Sequence, residues 1–119
     1  MTKQEIIEWL DGEVEGYPPR ATGNECGQFV TRLAARVAES DRDELIAAMR
    51  EWITQRGKRT LLAMNIAVDF KLLELKPDIQ QLLEDVRAGK AFLPYYEEFI
   101  APALKRMKEG EHHVSRFKN

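Results

Sequence analysis

The side chains that could do chemistry are few and scattered. Cys26 is the only thiol. At a helix N-terminus its pKa would fall and leave a reactive thiolate. A thiolate nucleophile also needs a base, and the only histidines, His112 and His113, stand at the far end of the chain. The plainer alternative, which the sequence favours, is that Cys26 opens the apolar stripe of a helix and is a small buried hydrophobe. Adjacent histidines face different ways on a helix and lack the i, i+4 spacing of a zinc-binding helix. No catalytic constellation, metal site or cofactor is therefore expected.

Groups suited to binding are easier to find. "QRGKR" places Arg56, Lys58 and Arg59 around Gly57, with Arg50 one to two turns earlier. Three cations beside the amides of a helix N-terminus make a candidate anion site. Capping of the preceding helix by Arg56 is the simpler use of the same residues. Asn65 and Asp69, at i, i+4 in an otherwise apolar stretch, are candidates to meet a partner. Arg32 and Arg36, on the polar face of the second helix, are candidates for the same partner, or one of them pairs with Asp69. Tyr17 and Arg20 lie in the one long connection, "EGYPPRATGNEC" over 15–26, whose prolines hold its tip extended. They either pack over the first hairpin or reach a partner. "YYEEF" adds Tyr95 and Tyr96 with Glu97 and Glu98. Asp11, Glu13 and Glu15 form an acidic group beside the long loop.

The elements that must position these groups all read as helices. The chain has 119 residues, 44% hydrophobic and 32% charged, with net charge −2 and a pI near 5.7. That suits one helical domain over 1–110, with 111–119 as a flexible tail. A mildly acidic chain lacks the basic footprint of general nucleic-acid binding. A single cysteine fits a reducing, cytoplasmic setting. No apolar run is long enough to span a membrane.

Thr2 with Glu5 fits a capping box at the start of a first helix over 2–11, which Gly12 should stop. Cys26, Phe29, Val30, Leu33 and Val37 mark one face of a second helix over 24–39. A third starts at Ser40 or Asp41, with Asp43 and Glu44 in its first turn, and ends at Gly57. A fourth, over 58–75, is apolar on most sides and should be the most enclosed. Pro77 and Asp78 open a fifth, which Gly89 ends. A sixth begins near 92–94 and should kink before Pro102. Short connections make neighbouring helices antiparallel.

A weak internal repeat runs through the second half. At a shift of 34 residues, Leu45 matches Ile79, Met49 matches Leu83, and Trp52 matches Val86. Leu62, Ile66, Phe70 and Leu73 match Tyr96, Ile100, Leu104 and Met107. Ile53 against Arg87 breaks the register. Three stacked hairpins, a short α-solenoid, would produce this pattern. A compact helical bundle is the alternative.

The stretch "RTLLAMNIAVDFKLLELKPDIQQLLEDV" resembles the junction between HEAT-like repeats. In those, an alanine-rich second helix ends in a short turn and Pro-Asp opens the next unit. The resemblance covers 42–108; the usual proline inside the first helix of each unit is missing. It implies a non-catalytic scaffold or adaptor that binds a protein partner on the face of its second helices, here helices two, four and six. The alternative is a small immunity- or antitoxin-like inhibitor. That would set the acids at 11–15, with Glu97 and Glu98, against a basic protein.

Overall fold

The computed structural model describes residues 1–15 and 31–108. The fold is all-α, and no strand occurs among the described residues. Helix α1 spans Lys3–Glu15 and a helical stretch, α2, covers 31–34. Four more helices follow: α3 (Arg42–Gln55), α4 (Thr60–Asp69), α5 (Lys76–Arg87) and α6 (Glu97–Lys108). Short 3-10 turns precede α3, α5 and α6, at Glu39–Asp41, Leu73–Leu75 and Pro94–Tyr96. The chain groups into two compact units, divided between Ala48 and Met49 inside α3.

In the first unit the capping box forms as expected. The Glu5 amide donates to Thr2 Oγ1 at 3.2 Å, and the Thr2 amide donates to Glu5 Oε1 at 3.0 Å. Hydrogen bonding from the Thr2 amide first, and then from its side chain, holds the Glu5 carboxyl below its ordinary pKa. Ile6, Ile7 and Leu10 of α1 are buried, as are Leu33, Val37, Leu45, Ile46 and Ala48. Each of the larger aliphatic side chains contributes roughly 1.5–3 kcal/mol on burial. The Lys3 amide donates to Glu44 Oε2 at 3.1 Å, which fastens the start of α1 to the start of α3.

Helix α1 does not stop at Gly12 but runs on to Glu15. A glycine ends a helix when the chain must turn into the left-handed region. Gly12 makes no such turn and is carried inside the helix as a weak link.

In the second unit the buried side chains are Met49, Trp52 and Ile53 of α3, most of α4, and the inner faces of α5 and α6. Helix α4 buries Thr60, Ala63, Met64, Ile66, Ala67 and Val68 among its ten residues, matching its apolar sequence. It packs against α6, as α5 does.

Helix α4 is shorter than expected at both ends. It begins at Thr60 and closes at Asp69, because Lys71 adopts φ 55°. The Lys71 amide then reaches Val68 O at 3.2 Å and the Leu72 amide reaches Ala67 O at 2.9 Å. This is the paired bonding of a Schellman cap, built on a lysine where glycine is usual. Leu72 turns inward and is fully buried, while Leu73 is left 52% exposed. Helix α5 ends in the same motif on Gly89, φ 73°, as expected. There the Gly89 amide bonds Val86 O at 3.1 Å and the Lys90 amide bonds Asp85 O at 2.8 Å.

At the end of α3 it is Arg56, not Gly57, that takes the left-handed conformation, φ 55°. Its guanidinium binds the Ile53 carbonyl and lies 2.9 Å from Asp85 of α5, so side-chain partners hold an otherwise costly backbone angle. The adjoining turn is closed by Thr60. Its hydroxyl is fully buried, accepts the Gly57 amide at 2.9 Å and donates to the Trp52 carbonyl at 2.7 Å. Arg50 pairs with Asp78 at 3.3 Å, so Arg50 of α3 and Arg56 just past its end each meet an aspartate of α5.

The residues matched at a shift of 34 are buried in both copies at Leu45/Ile79, Met49/Leu83, Trp52/Val86, Ile66/Ile100 and Phe70/Leu104. Leu73 departs from Met107, being exposed where Met107 is buried. Two amphipathic hairpins of any kind share this pattern of buried positions.

Candidate functional site

The described surface feature that sets itself apart lies between α5 and α6. Past Gly89 the chain takes an unusual path. Phe92 has φ 53°, a conformation that bulky side chains seldom adopt. Leu93 is extended, Pro94 opens a single 3-10 turn, and Glu97 begins α6. This path gathers four rings. Phe92 and Tyr96 have centroids 5.3 Å apart, Tyr95 stacks on Tyr96 at 4.6 Å, and Phe99 lies 6.0 Å from Tyr96.

The cluster is not core. Leu93 is 58% exposed, Tyr95 53% and Phe99 54%. Exposed apolar residues are ordinary one at a time; grouped, they mark contact surfaces. Arg87 Nε sits 2.7 Å from Glu97 Oε1 and ties the end of α5 to the start of α6 at the cluster's edge. A hydrogen bond with Tyr96 raises the Tyr95 phenol above its ordinary value of 10.0. Glu97, paired with Arg87, and Glu98 carry the charge at the cluster.

The other candidates are dispersed. Asn65 is exposed on α4. Asp69, 30% exposed, has Arg106 of α6 at 3.8 Å. In the first unit Arg32 pairs with Glu13 at 3.0 Å, and the Arg36 guanidinium lies 5.1 Å from the Trp9 ring centroid. Of the basic turn, Arg56 is committed to Asp85, Lys58 is exposed, and Arg59 is the residue preceding α4. Asp85 also accepts Gln81 Nε2 at 3.0 Å, and its carboxyl is held below the ordinary range, by Arg56 first and Gln81 second. Tyr17, Arg20, Cys26, His112 and His113 lie outside the described residues, as does the side chain of Glu15. Among the described residues no three His, Cys, Asp or Glu side chains are placed to hold a metal ion. Among the same residues no helix is long and apolar enough to cross a membrane.

Sequence reasoning flagged Tyr95, Tyr96, Glu97 and Glu98 but passed over Phe92, Leu93 and Phe99, and over Thr60. A signal for the first group was present. The chain has five Phe, three Tyr and two Trp, and four of these fall within the eight residues of "FLPYYEEF". Helical periodicity assigns one ring of such a run to the core and the rest to solvent, and says nothing about rings that group on the outside. No family model, curated protein or solved structure matches the chain.

Proposed function

We propose that this chain is a non-catalytic interaction domain that docks a protein partner on the aromatic surface at 92–99. The observation that carries the reading is the grouping of Phe92, Tyr95, Tyr96 and Phe99 around an exposed turn. Tyr and Phe rings are enriched in protein interfaces because each buries a large area while ordering few torsions. The left-handed Phe92 supports it, since backbone strain of this kind concentrates where a surface must be pre-shaped. In the adaptor expected from the helical-repeat resemblance, this surface lies at the N-terminal end of helix six. The Asn65–Asp69 side of α4 becomes a secondary contact. The inhibitor reading uses the same surface, with Glu97 and Glu98 turned toward a basic protein.

The test is a double variant, Tyr95→Ala with Phe99→Ala. Both side chains are half-exposed, so together they should lower stability by about 1–2 kcal/mol, through lost ring contacts. Proteins that co-purify with the wild-type chain from its native cells should be lost. Retention of those proteins by the folded double variant, with loss in an Asn65→Ala, Asp69→Ala variant, would move the site to α4.

A further inference from the structure

We propose that the segment docked at 92–99 is a peptide carrying an arginine beside apolar side chains; this rests on the reading of that surface given above. Tyr95, Glu98 and Phe99 stand at i, i+3 and i+4 around the start of α6, the spacing that puts residues on one side of a helical turn. All three are exposed. Ring faces attract a guanidinium, and an adjacent carboxylate accepts its N–H fork. A surface that offers both within one turn is complementary to arginine in shape as well as charge.

The local charge points the same way. Between Lys90 and Lys105 the only ionised side chains are Glu97 and Glu98, and Glu98 is the one that Arg87 does not pair. An anionic or phosphorylated segment would meet like charge there. The chain's own arginines show both halves of the contact. Arg87 already brings a guanidinium to Glu97 at the rim, 2.7 Å away, in a pair that is 52% and 43% exposed and therefore open to exchange. Arg36 lies over the Trp9 ring in the first unit. Lysine is the poorer fit, because its ammonium is strongly hydrated and cannot stack flat on a ring. The exposed Leu93 supplies apolar surface for the residues flanking the arginine.

The probe is a phage-displayed library of random dodecapeptides selected on the immobilised full chain. Selected clones should be enriched in arginine next to Leu, Phe or Trp. Peptides synthesised from them should bind about tenfold more weakly when that arginine is replaced by alanine. They should bind a Glu98→Gln chain about fivefold more weakly than wild type. Clones that need Tyr95 and Phe99 but show no arginine enrichment, or ignore Glu98→Gln, overturn the inference and leave the docking surface standing. Clones indifferent to Tyr95→Ala and Phe99→Ala overturn the docking surface itself. A concentration-dependent dimer that Tyr95→Ala dissociates would assign the surface to a second copy of the chain, which also overturns the inference.

Discussion

Replacing Thr60 with valine keeps the shape of the side chain and puts a methyl group in place of its hydroxyl. That hydroxyl is fully buried and makes two bonds, from the Gly57 amide at 2.9 Å and to the Trp52 carbonyl at 2.7 Å. Valine leaves the Gly57 donor and one lone pair of the Trp52 carbonyl without this partner. At about 1 kcal/mol for each bond, the variant should lose about 2 kcal/mol. For a chain of this length that corresponds to a fall in Tm of roughly 8 °C. Serine keeps the hydroxyl and loses one buried methyl group, for about 1 kcal/mol. Alanine loses both, for about 3 kcal/mol. Urea unfolding followed by far-UV circular dichroism and by tryptophan fluorescence gives all three values. The reasoning is refuted if valine matches wild type while serine and alanine fall equally, because the methyl group alone would then matter.

Two glycines should respond to alanine with opposite sign, checked by the same urea titration. Gly12→Ala should stabilise by about 0.5–1 kcal/mol, since Gly12 is inside α1 and an added Cβ meets open space. Gly89→Ala should destabilise by about 1–2 kcal/mol, with equal space but a φ of 73°. Asp85 is held below its ordinary value of 3.8 by Arg56 and Gln81. Its stabilising effect is complete above 3.8 and is lost as pH falls through the lower folded value. Asp85→Asn should therefore be less stable than wild type at neutral pH, and the two unfolding curves should converge as pH drops below 3.8.

Much of the fold was legible because it rests on local rules. The Thr2–Glu5 box, the acids at the start of α3, Pro77 at the start of α5 and Gly89 at its end all work within a few residues, and each holds. The misplaced ends have two causes. At Gly12 no turn is made and α1 runs on, while at Arg56, in place of Gly57, and at Lys71, inside the expected fourth helix, a non-glycine takes the left-handed angle because tertiary partners or a buried next residue hold it there. Those partners, such as Asp85 for Arg56, come from 29 residues away in sequence and leave no local trace.

The candidate site was half legible for a related reason. Residue type and spacing flagged "YYEEF", but exposure decides whether rings are core or contact surface, and exposure is a property of packing. The reverse held at Arg56. As a cation in a basic turn it looked available, and the fold engages it with Asp85.

The most direct measurement is photo-crosslinking in the native cell, with p-benzoylphenylalanine in place of Phe99 and, separately, of Asn65. The account predicts a discrete adduct between this chain and a different protein from position 99, and little or none from position 65. Adducts from position 65 alone, or adducts of the chain only with itself, would contradict it.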